Sequence, residues 1–291
     1  MLYDIKVKTT CEYEWPAAGR QALRLLPIDE KHSQRLVLGS IDISPAPSER
    51  HDRFDFFGNQ TTDICFEDPI KTLELTVRAR VERFALPPGM DVSTSMDRLA
   101  GELAANRSLD GLSPHHFVGP SPLVGASKPI RDYARHVVPQ AASVMDFVRQ
   151  LNNALYKDMT YDGEATEVDT PLEEAFAKRR GVCQDFTHIM IACLREVGIP
   201  AGYVSGMLRT EPPPGKPRLE GADAMHAWVQ AWCGAAAGWI DFDPTNALIV
   251  GADHIVVARG RDYSDVSPVR GVLRTSGAQE ISQSVDVIPL G

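Results

Sequence analysis

The chain has 291 residues, of which 43% are hydrophobic and 24% charged, so it can bury a full core without disulfide or metal staples. Its formal net charge of −9 argues against a nucleic-acid partner, because phosphate binding requires clustered Lys and Arg. No apolar run approaches the roughly 18 residues of a membrane span, and the five widely spaced cysteines form no CxxC pair, so we expect neither a membrane helix, a disulfide framework nor a zinc site.

Residues 1–85 show the alternation of apolar and polar side chains that is typical of half-buried strands. The alternating positions include Leu36, Leu38, Ile41, Ile43, Leu73, Leu75 and Val77. Gly58-Asn59 supplies a turn between two of these runs. We therefore predict an N-terminal antiparallel β domain.

Residues 86–140 are punctuated by Pro and Gly and form a connecting region, with short helices such as "SMDRLAGELAAN". A third region, 141–291, begins with a helix that Ser143 caps. A further helix is predicted to start with Thr170 as N-cap and Pro171 at its first position, and to end at Gly181.

Another helix should begin near Cys183, because apolar residues then recur with the period of a helix. Its stripe consists of Phe186, Ile189, Met190, Cys193, Leu194 and Val197. Three strand-like segments follow, "AGYVSGMLR", "HAWVQAWC" and "GWIDFDPT". The pattern predicts an α+β domain in which this helix packs on a sheet.

Cys183 is placed differently from Cys193, which lies on the apolar stripe and is predicted to be a small buried side chain. Cys183 falls in the first turn of its helix, where the unpaired N–H groups carry partial positive charge and stabilise a thiolate. The N–H groups of Cys183 and Gln184 could also bind an oxyanion that forms on a carbonyl. Cys183 is thus a candidate nucleophile that needs a base.

His226 is the candidate base, since it opens a strand rich in aromatic residues. His188 is the alternative, but it lies more than one turn along the same helix and about 140° around the axis, so local packing or contact with a substrate fits it better. Asp241 and Asp243 could each orient the base, and alternation in a strand puts both on the same face. The residues alone leave these two aspartates open.

Three tryptophans surround the His226 strand. We expect Trp232 and Trp239 to lie in the core, as large aromatic side chains usually do. Trp228 stays open between the core and the wall of a substrate channel, so we place it with Gln184 in the substrate vicinity.

The blocks "GVCQDFTHIMIACLREVGIPAGYVSG", "HAWVQAWC" and "GWIDFDPTN" resemble, in this order, the transglutaminase-like superfamily, a papain-related group of Cys–His–Asp proteins. The later "VGADHIVVARGRDYSDVSPVRGV" and the early "FDFFGNQ" are similar to its bacterial branch and to that branch's N-terminal β domain. The resemblance implies a nucleophile at Cys183, a base at His226 and an acid at Asp243. It also implies a catalytic core, a nucleophile helix packed on an antiparallel sheet, preceded by the β domain.

The expected chemistry is cysteine-dependent acyl transfer on peptide or amide bonds through a thioester, with hydrolysis as the favoured outcome. The alternatives are transfer of a glutamine acyl group to an amine, as in a transglutaminase, and a non-catalytic binding module on the same fold. We expect a peptide or protein substrate, no cofactor and no metal. Because no secretory leader is evident, we expect a cytoplasmic location of bacterial type.

Overall fold

The computed structural model describes residues 1–84, 90–210 and 219–290. In chain order the elements are β1 (Leu2–Leu23), β2 (Gln34–Ser44), β3 (Glu49–Phe54), β4 (Gln60–Arg83), α1 (Met96–Ala105), α2 (Lys128–Val137), α3 (Val144–Asp158), β5 (Thr160–Tyr161), α4 (Leu172–Lys178), β6 (Arg180–Gly181), α5 (Cys183–Glu196), β7 (Ala201–Leu208), β8 (Ala224–Trp232), β9 (Trp239–Asp243), β10 (Leu248–Ile249), β11 (His254–Gly260), α6 (Tyr263–Val266), β12 (Val269–Arg274) and β13 (Gln279–Leu290). None of the described helices is long and apolar enough to cross a membrane.

The first sheet is antiparallel and is built around two long strands, β1 and β4, which pair along most of their length. β2 and β3 pair with β4. Every second residue of β1 and β4 is buried over much of their length, as the alternation predicts. The predicted turn lies between β3 and β4, where Gly58 takes a φ of +83°.

The other edge of β1 pairs with β12 and β13, which come from the end of the described chain. The N-terminal sheet therefore extends beyond residues 1–85 and takes two strands from the predicted catalytic region 141–291. The physical reason is that β1 would otherwise present a row of unpaired N–H and C=O groups along its full length. The division at 85 and 140 stays a prediction.

The second sheet is also antiparallel, with the order β10-β9-β8-β7-β11. Helix α5 packs against β7 and β8 on one side and against α2, α3 and α4 on the other. The predicted apolar stripe is buried from Phe186 to Leu194, and so are Thr187, His188, Ile191 and Ala192 on the remaining faces. α5 is thus the central helix of an α+β domain, and its packing on both sides fixes the position of its first residue, Cys183.

Helix α4 starts and ends differently from the prediction. It begins at Leu172 with Pro171 as its N-cap residue, and Thr170 instead accepts a hydrogen bond from the Glu167 N–H. It ends through Arg179, which takes the left-handed conformation with φ 54°. Gly181 does not end α4: it lies in β6, two residues before the first residue of α5.

Two side-chain amides from the first sheet and its β3–β4 turn bond to the backbone of β11, the edge strand of the second sheet. Gln34 exchanges two hydrogen bonds of 2.8 Å with the N–H and C=O of Val256. Asn59 does the same with Arg259, at 2.7 and 2.8 Å. Both amides are buried, and they satisfy backbone groups on the edge of β11 that pairs with no other described strand.

Candidate active site

Cys183 is the first residue of α5 and is half-buried. The first N–H groups of a helix have no acceptor within the helix, and they lie at the positive end of its dipole. Thr187 donates its hydroxyl to the Cys183 carbonyl at 2.7 Å, one turn further on. The sulfur therefore sits at the mouth of a buried helix, as the sequence predicts.

The turn before Cys183 is built around the Asp185 carboxylate. Asp185 accepts hydrogen bonds from the Val182 N–H at 2.8 Å and from the Thr166 hydroxyl at 2.6 Å. A Cβ at Gly181 would lie 2.4 Å from the Asp185 Oδ2. Glycine is needed here because the carboxylate folds back onto the backbone, which sets the path of the chain into the nucleophile turn.

His226 lies on β8, opposite Gly206 of β7. Its Nε2 is 2.8 Å from Asp243 Oδ2, and Cys183 is near enough to the ring to contribute to its pKa. Because Asp243 occupies Nε2, the nitrogen left for the sulfur is Nδ1. Burial lowers the pKa of His226, but the hydrogen bonds and charges of Asp243 and Cys183 outweigh it and raise that pKa to about 9.

Asp243 ends β9 and is fully buried. Its Oδ1 accepts from the N–H groups of Thr245 and Asn246, at 2.9 and 3.2 Å. Its Oδ2 accepts from the Asn246 side chain at 2.7 Å and faces His226 and His254, at 2.8 and 3.0 Å. Burial raises the pKa of this carboxyl, but these hydrogen bonds hold it well below its usual range, so Asp243 is ionised.

Asp241, the other aspartate on β9, has different partners. It accepts from the indole N–H of Trp228 at 2.9 Å and pairs with the Arg259 guanidinium at 2.9 and 3.0 Å. The structure thus brings Asp243, rather than Asp241, to His226. The strand alternation could not separate the two, because it fixes a face and not a neighbour.

The two residues predicted in the substrate vicinity lie in different surroundings. Trp228 is fully buried, and its ring lies 5.1 Å from that of His254, so it offers no exposed wall in this conformation. Gln184 is half-buried beside Cys183, and its side-chain amide donates to the Val168 carbonyl at 2.9 Å. Its side chain holds the segment before α4, which leaves its backbone N–H as the group near the sulfur.

His188, the alternative base, is buried within α5. Its Nε2 accepts a hydrogen bond from the Tyr263 N–H at 3.2 Å, and its ring packs near Tyr203. Burial lowers the pKa of His188 to about 4, so it is neutral. The packing role that the helix geometry favours for His188 agrees with these contacts.

His254 is the site residue that sequence reasoning missed. It opens β11, is buried, and places Nε2 3.0 Å from Asp243 Oδ2. The segment that contains it is recognised from the sequence only through the family resemblance. Its 11-residue separation from Asp243 forms no recognisable spacing, since the contact depends on two strands on opposite sides of the sheet centre.

His226, Asp243 and His254 are also the one group of described residues with ligand atoms close enough to share a metal ion, all within 4.8 Å of one another. The sequence predicted no metal site because these ligands are not clustered along the chain. Both imidazole Nε2 atoms lie at hydrogen-bond distance from the same oxygen, where a donated hydrogen fits. We therefore assign the three side chains to one hydrogen-bonded group centred on Asp243.

Comparison with known proteins connects this geometry to a family. Residues 131–244 match the model of the transglutaminase-like superfamily, and residues 3–82 match the bacterial transglutaminase-like N-terminal region. A protein of Mycobacterium tuberculosis is 37% identical over 269 residues, which cover 88% of this chain and 82% of that one. A protein of Mycobacterium leprae is 31% identical over 281 residues, which cover 96% and 95%.

A solved structure has the same fold. A candidate cysteine protease from Cytophaga hutchinsonii aligns with a TM-score of 0.73 over 98% of this chain and 90% of that one, at 20% sequence identity. The chain therefore belongs to the transglutaminase-like superfamily and carries the bacterial transglutaminase-like N-terminal region.

Proposed function

We propose that this protein is a cysteine-dependent acyl-transfer enzyme that hydrolyses peptide or amide bonds through a thioester on Cys183. The observation that carries the proposal is the position of His226, whose Nε2 lies 2.8 Å from the buried Asp243 carboxylate and whose ring is near enough to Cys183 for the sulfur to help raise its pKa. A nucleophile, a base and an orienting acid in this order are the parts that acyl transfer requires.

In the first half-reaction the Cys183 thiolate attacks the amide carbonyl carbon, and a C–S bond forms while the carbonyl oxygen becomes an oxyanion. The N–H groups at the start of α5 are suited to stabilise that oxyanion. The C–N bond then breaks, and His226 gives the leaving amine its proton. Asp243 keeps the ring oriented, and its charge stabilises the imidazolium before the proton leaves.

In the second half-reaction a water attacks the thioester carbon, and His226 takes a proton from that water. The C–S bond breaks, the acyl group leaves as a carboxylic acid, and the thiolate–imidazolium pair is restored. If an amine attacks in place of water, the same intermediate gives a transglutaminase reaction. The fold neighbour described as a candidate cysteine protease, which aligns with nearly the whole chain, supports the hydrolytic branch.

Purified protein incubated with a glutamine-containing peptide library and a fluorescent primary amine separates the two branches. We expect peptide cleavage or ammonia release to exceed amine incorporation, and a Cys183→Ala variant to do neither. Amine incorporation faster than hydrolysis would replace the hydrolase with a transglutaminase.

Labelling with iodoacetamide at neutral pH tests for the binding module. An activated thiolate at Cys183 should react faster than free cysteine, and Cys183→Ala should lose this label. A rate equal to that of free cysteine, together with no turnover of the library, would favour a non-catalytic module.

A further inference from the structure

Two histidines, His226 and His254, share one oxygen of the Asp243 carboxylate. Asp243 Oδ2 is 2.8 Å from Nε2 of His226 and 3.0 Å from Nε2 of His254. Only the first of these rings has a role in the proposed reaction. His254 is 3% exposed, so it is not available to a substrate.

His254 is not needed to aim the carboxylate. Asp243 already accepts two backbone N–H groups on Oδ1 and the Asn246 side chain on Oδ2. These three bonds come from the turn that directly follows β9, so they fix the carboxylate plane without β11. A second imidazole therefore has to be explained by its effect on charge rather than on geometry alone.

As a side chain with only a packing role, His254 would destabilise the fold, because it buries a polar atom without a described hydrogen-bond partner. Its Nδ1 is buried and has no hydrogen-bond partner among the described residues. An aromatic or aliphatic side chain in this place would pack against Trp228 and leave no polar atom unsatisfied. A buried group that is only half satisfied in a native structure requires an explanation, and the bond to Asp243 is the contact that an imidazole alone supplies here.

We infer that His254 is a positioning residue that acts through Asp243: its Nε2–H takes part of the carboxylate's negative charge and so limits how tightly Asp243 holds the proton of His226. The inference rests on the proposed function, in which His226 must release that proton to a leaving amine. A general acid that holds its proton too strongly at the working pH is slow to donate it. Two donors on one oxygen divide a charge that would otherwise act on His226 alone.

The other charged side chains of the described residues near His226, Asp243 and His254 have partners of their own. Cys183, at the start of α5, is near enough to His226 to contribute to its pKa. Asp241 of β9 lies behind Trp228 and is neutralised by Arg259 of β11. Asp253, next to His254 in sequence, accepts from Tyr3 and pairs with Arg209. Asp243 is therefore the carboxylate through which His254 reaches His226.

The test is an NMR titration of isotope-labelled histidine in the full-length chain, with His226 assigned from a His226→Gln variant. His254→Phe removes both nitrogens and keeps a ring against Trp228. We expect the pH midpoint of His226 to rise in this variant by roughly 0.5 to 1 unit, because Asp243 then acts on one ring. His254→Gln, which retains an amide donor at the Nε2 position, is the matched control and should leave the midpoint within a few tenths of a unit of the wild type.

An unchanged or lowered His226 midpoint in His254→Phe would overturn the inference. If that variant does not fold, the wild-type protein decides, because the ¹⁵N shifts of His254 report its tautomer. Hydrogen on Nε2 is required, and hydrogen on Nδ1 alone contradicts the inference. A wild-type His226 that titrates like free histidine, with an unreactive Cys183, would instead refute the proposed function.

Discussion

At the scale of single residues, the Asp243 carboxylate organises the candidate site. It is fully buried, and its two oxygens take hydrogen bonds from the backbone, from an amide and from two imidazoles. Its lowered pKa means that its charge stabilises the folded chain above the ordinary carboxyl range. That contribution is lost as the pH falls through the lowered value.

The Asp243→Asn variant tests the proposed role of the acid. The pKa of His226 is raised from its ordinary value of 6.5 to about 9. The protonated ring therefore stabilises the folded chain fully below pH 6.5, and this stabilisation is lost as the pH rises through about 9. We therefore expect wild-type turnover to decline near pH 9. The variant should lose roughly 10³- to 10⁴-fold in kcat/KM, as acids of such triads do, and its basic limb should move to lower pH.

The measurement is a pH profile of kcat/KM with the best library peptide, with thermal melting as a check that the variant is folded. Asp286→Asn, at a buried carboxylate near the end of β13, is a comparison for the loss of a buried charge outside the site. A folded Asp243→Asn variant with the wild-type profile would remove Asp243 from the mechanism.

Local sequence reasoning reached Cys183 and His226 because a helix start and a strand start are visible in the residue pattern. It could not choose between Asp241 and Asp243, and the choice of Asp243 came from the family resemblance. His254 was missed because a single histidine in an apolar strand carries no periodic signal. Its contact with Asp243 depends on the order of strands in the second sheet, and that order cannot be predicted from a local sequence pattern.

At the scale of elements, the site depends on the junction between α4 and α5. Arg179 ends α4 in the left-handed conformation, β6 pairs with β5, and the Asp185 carboxylate folds back onto the backbone before Cys183. The predicted capping of α4 by Thr170 is wrong by one residue, because Thr170 bonds within the preceding loop instead. The predicted stripe of α5 is confirmed from Phe186 to Leu194, and the opposite face is buried as well, whereas Val197 is a half-buried residue just beyond the helix end.

Gly181→Ala should disrupt this junction. The added Cβ would lie 2.4 Å from Asp185 Oδ2, so the carboxylate has to move and release the Val182 N–H. We expect a loss of about 1–3 kcal/mol in the free energy of unfolding, because a partly buried hydrogen bond is broken and steric strain is added. We also expect slower alkylation of Cys183.

Gly163→Ala is the matched control, because a Cβ there meets nothing within 4 Å. Urea unfolding and the iodoacetamide rate are measured on both variants. Equal behaviour of the two would show that the Gly181 contact does not set the nucleophile turn.

At the scale of the whole molecule, the two sheets share a core and a polar contact. Met207, Ile255 and Val257 from the second sheet pack among the buried side chains of the first. Arg259 of β11 pairs with Glu30 as well as Asp241, and these charges raise its pKa despite its burial. The first sheet is therefore part of the support of the second sheet, which carries His226 and Asp243.

Asn59→Ala should weaken the whole fold although Asn59 lies outside the site. It removes both bonds to the Arg259 backbone and leaves a buried N–H and C=O unpaired. We expect a loss of about 1–3 kcal/mol in the free energy of unfolding, measured in urea. Gln283→Ala removes the contact of an exposed side chain to the Thr9 hydroxyl and should cost less than about 0.5 kcal/mol. Similar losses in the two variants would contradict this role for Asn59.

The fold class could be predicted from the sequence, because alternation marks strands and the 3.6-residue period marks helices. The return of β12 and β13 to the first sheet could not, since pairs such as Leu2 with Leu290 join residues at opposite ends of the described chain. A local pattern predicts which face of a strand or helix is buried. It does not predict a partner strand this distant in sequence, because that pairing is set only when the whole sheet forms.

The pairing of β13 with β1 has a consequence for synthesis in the cell. β1 is translated before its partner β13, and the other described elements lie between them, so the edge of β1 that β13 covers stays open until β13 has been translated. An open edge of this length invites pairing with other nascent chains. The first sheet is therefore completed only after translation of β13, and growth conditions that slow elongation lengthen the period of exposure.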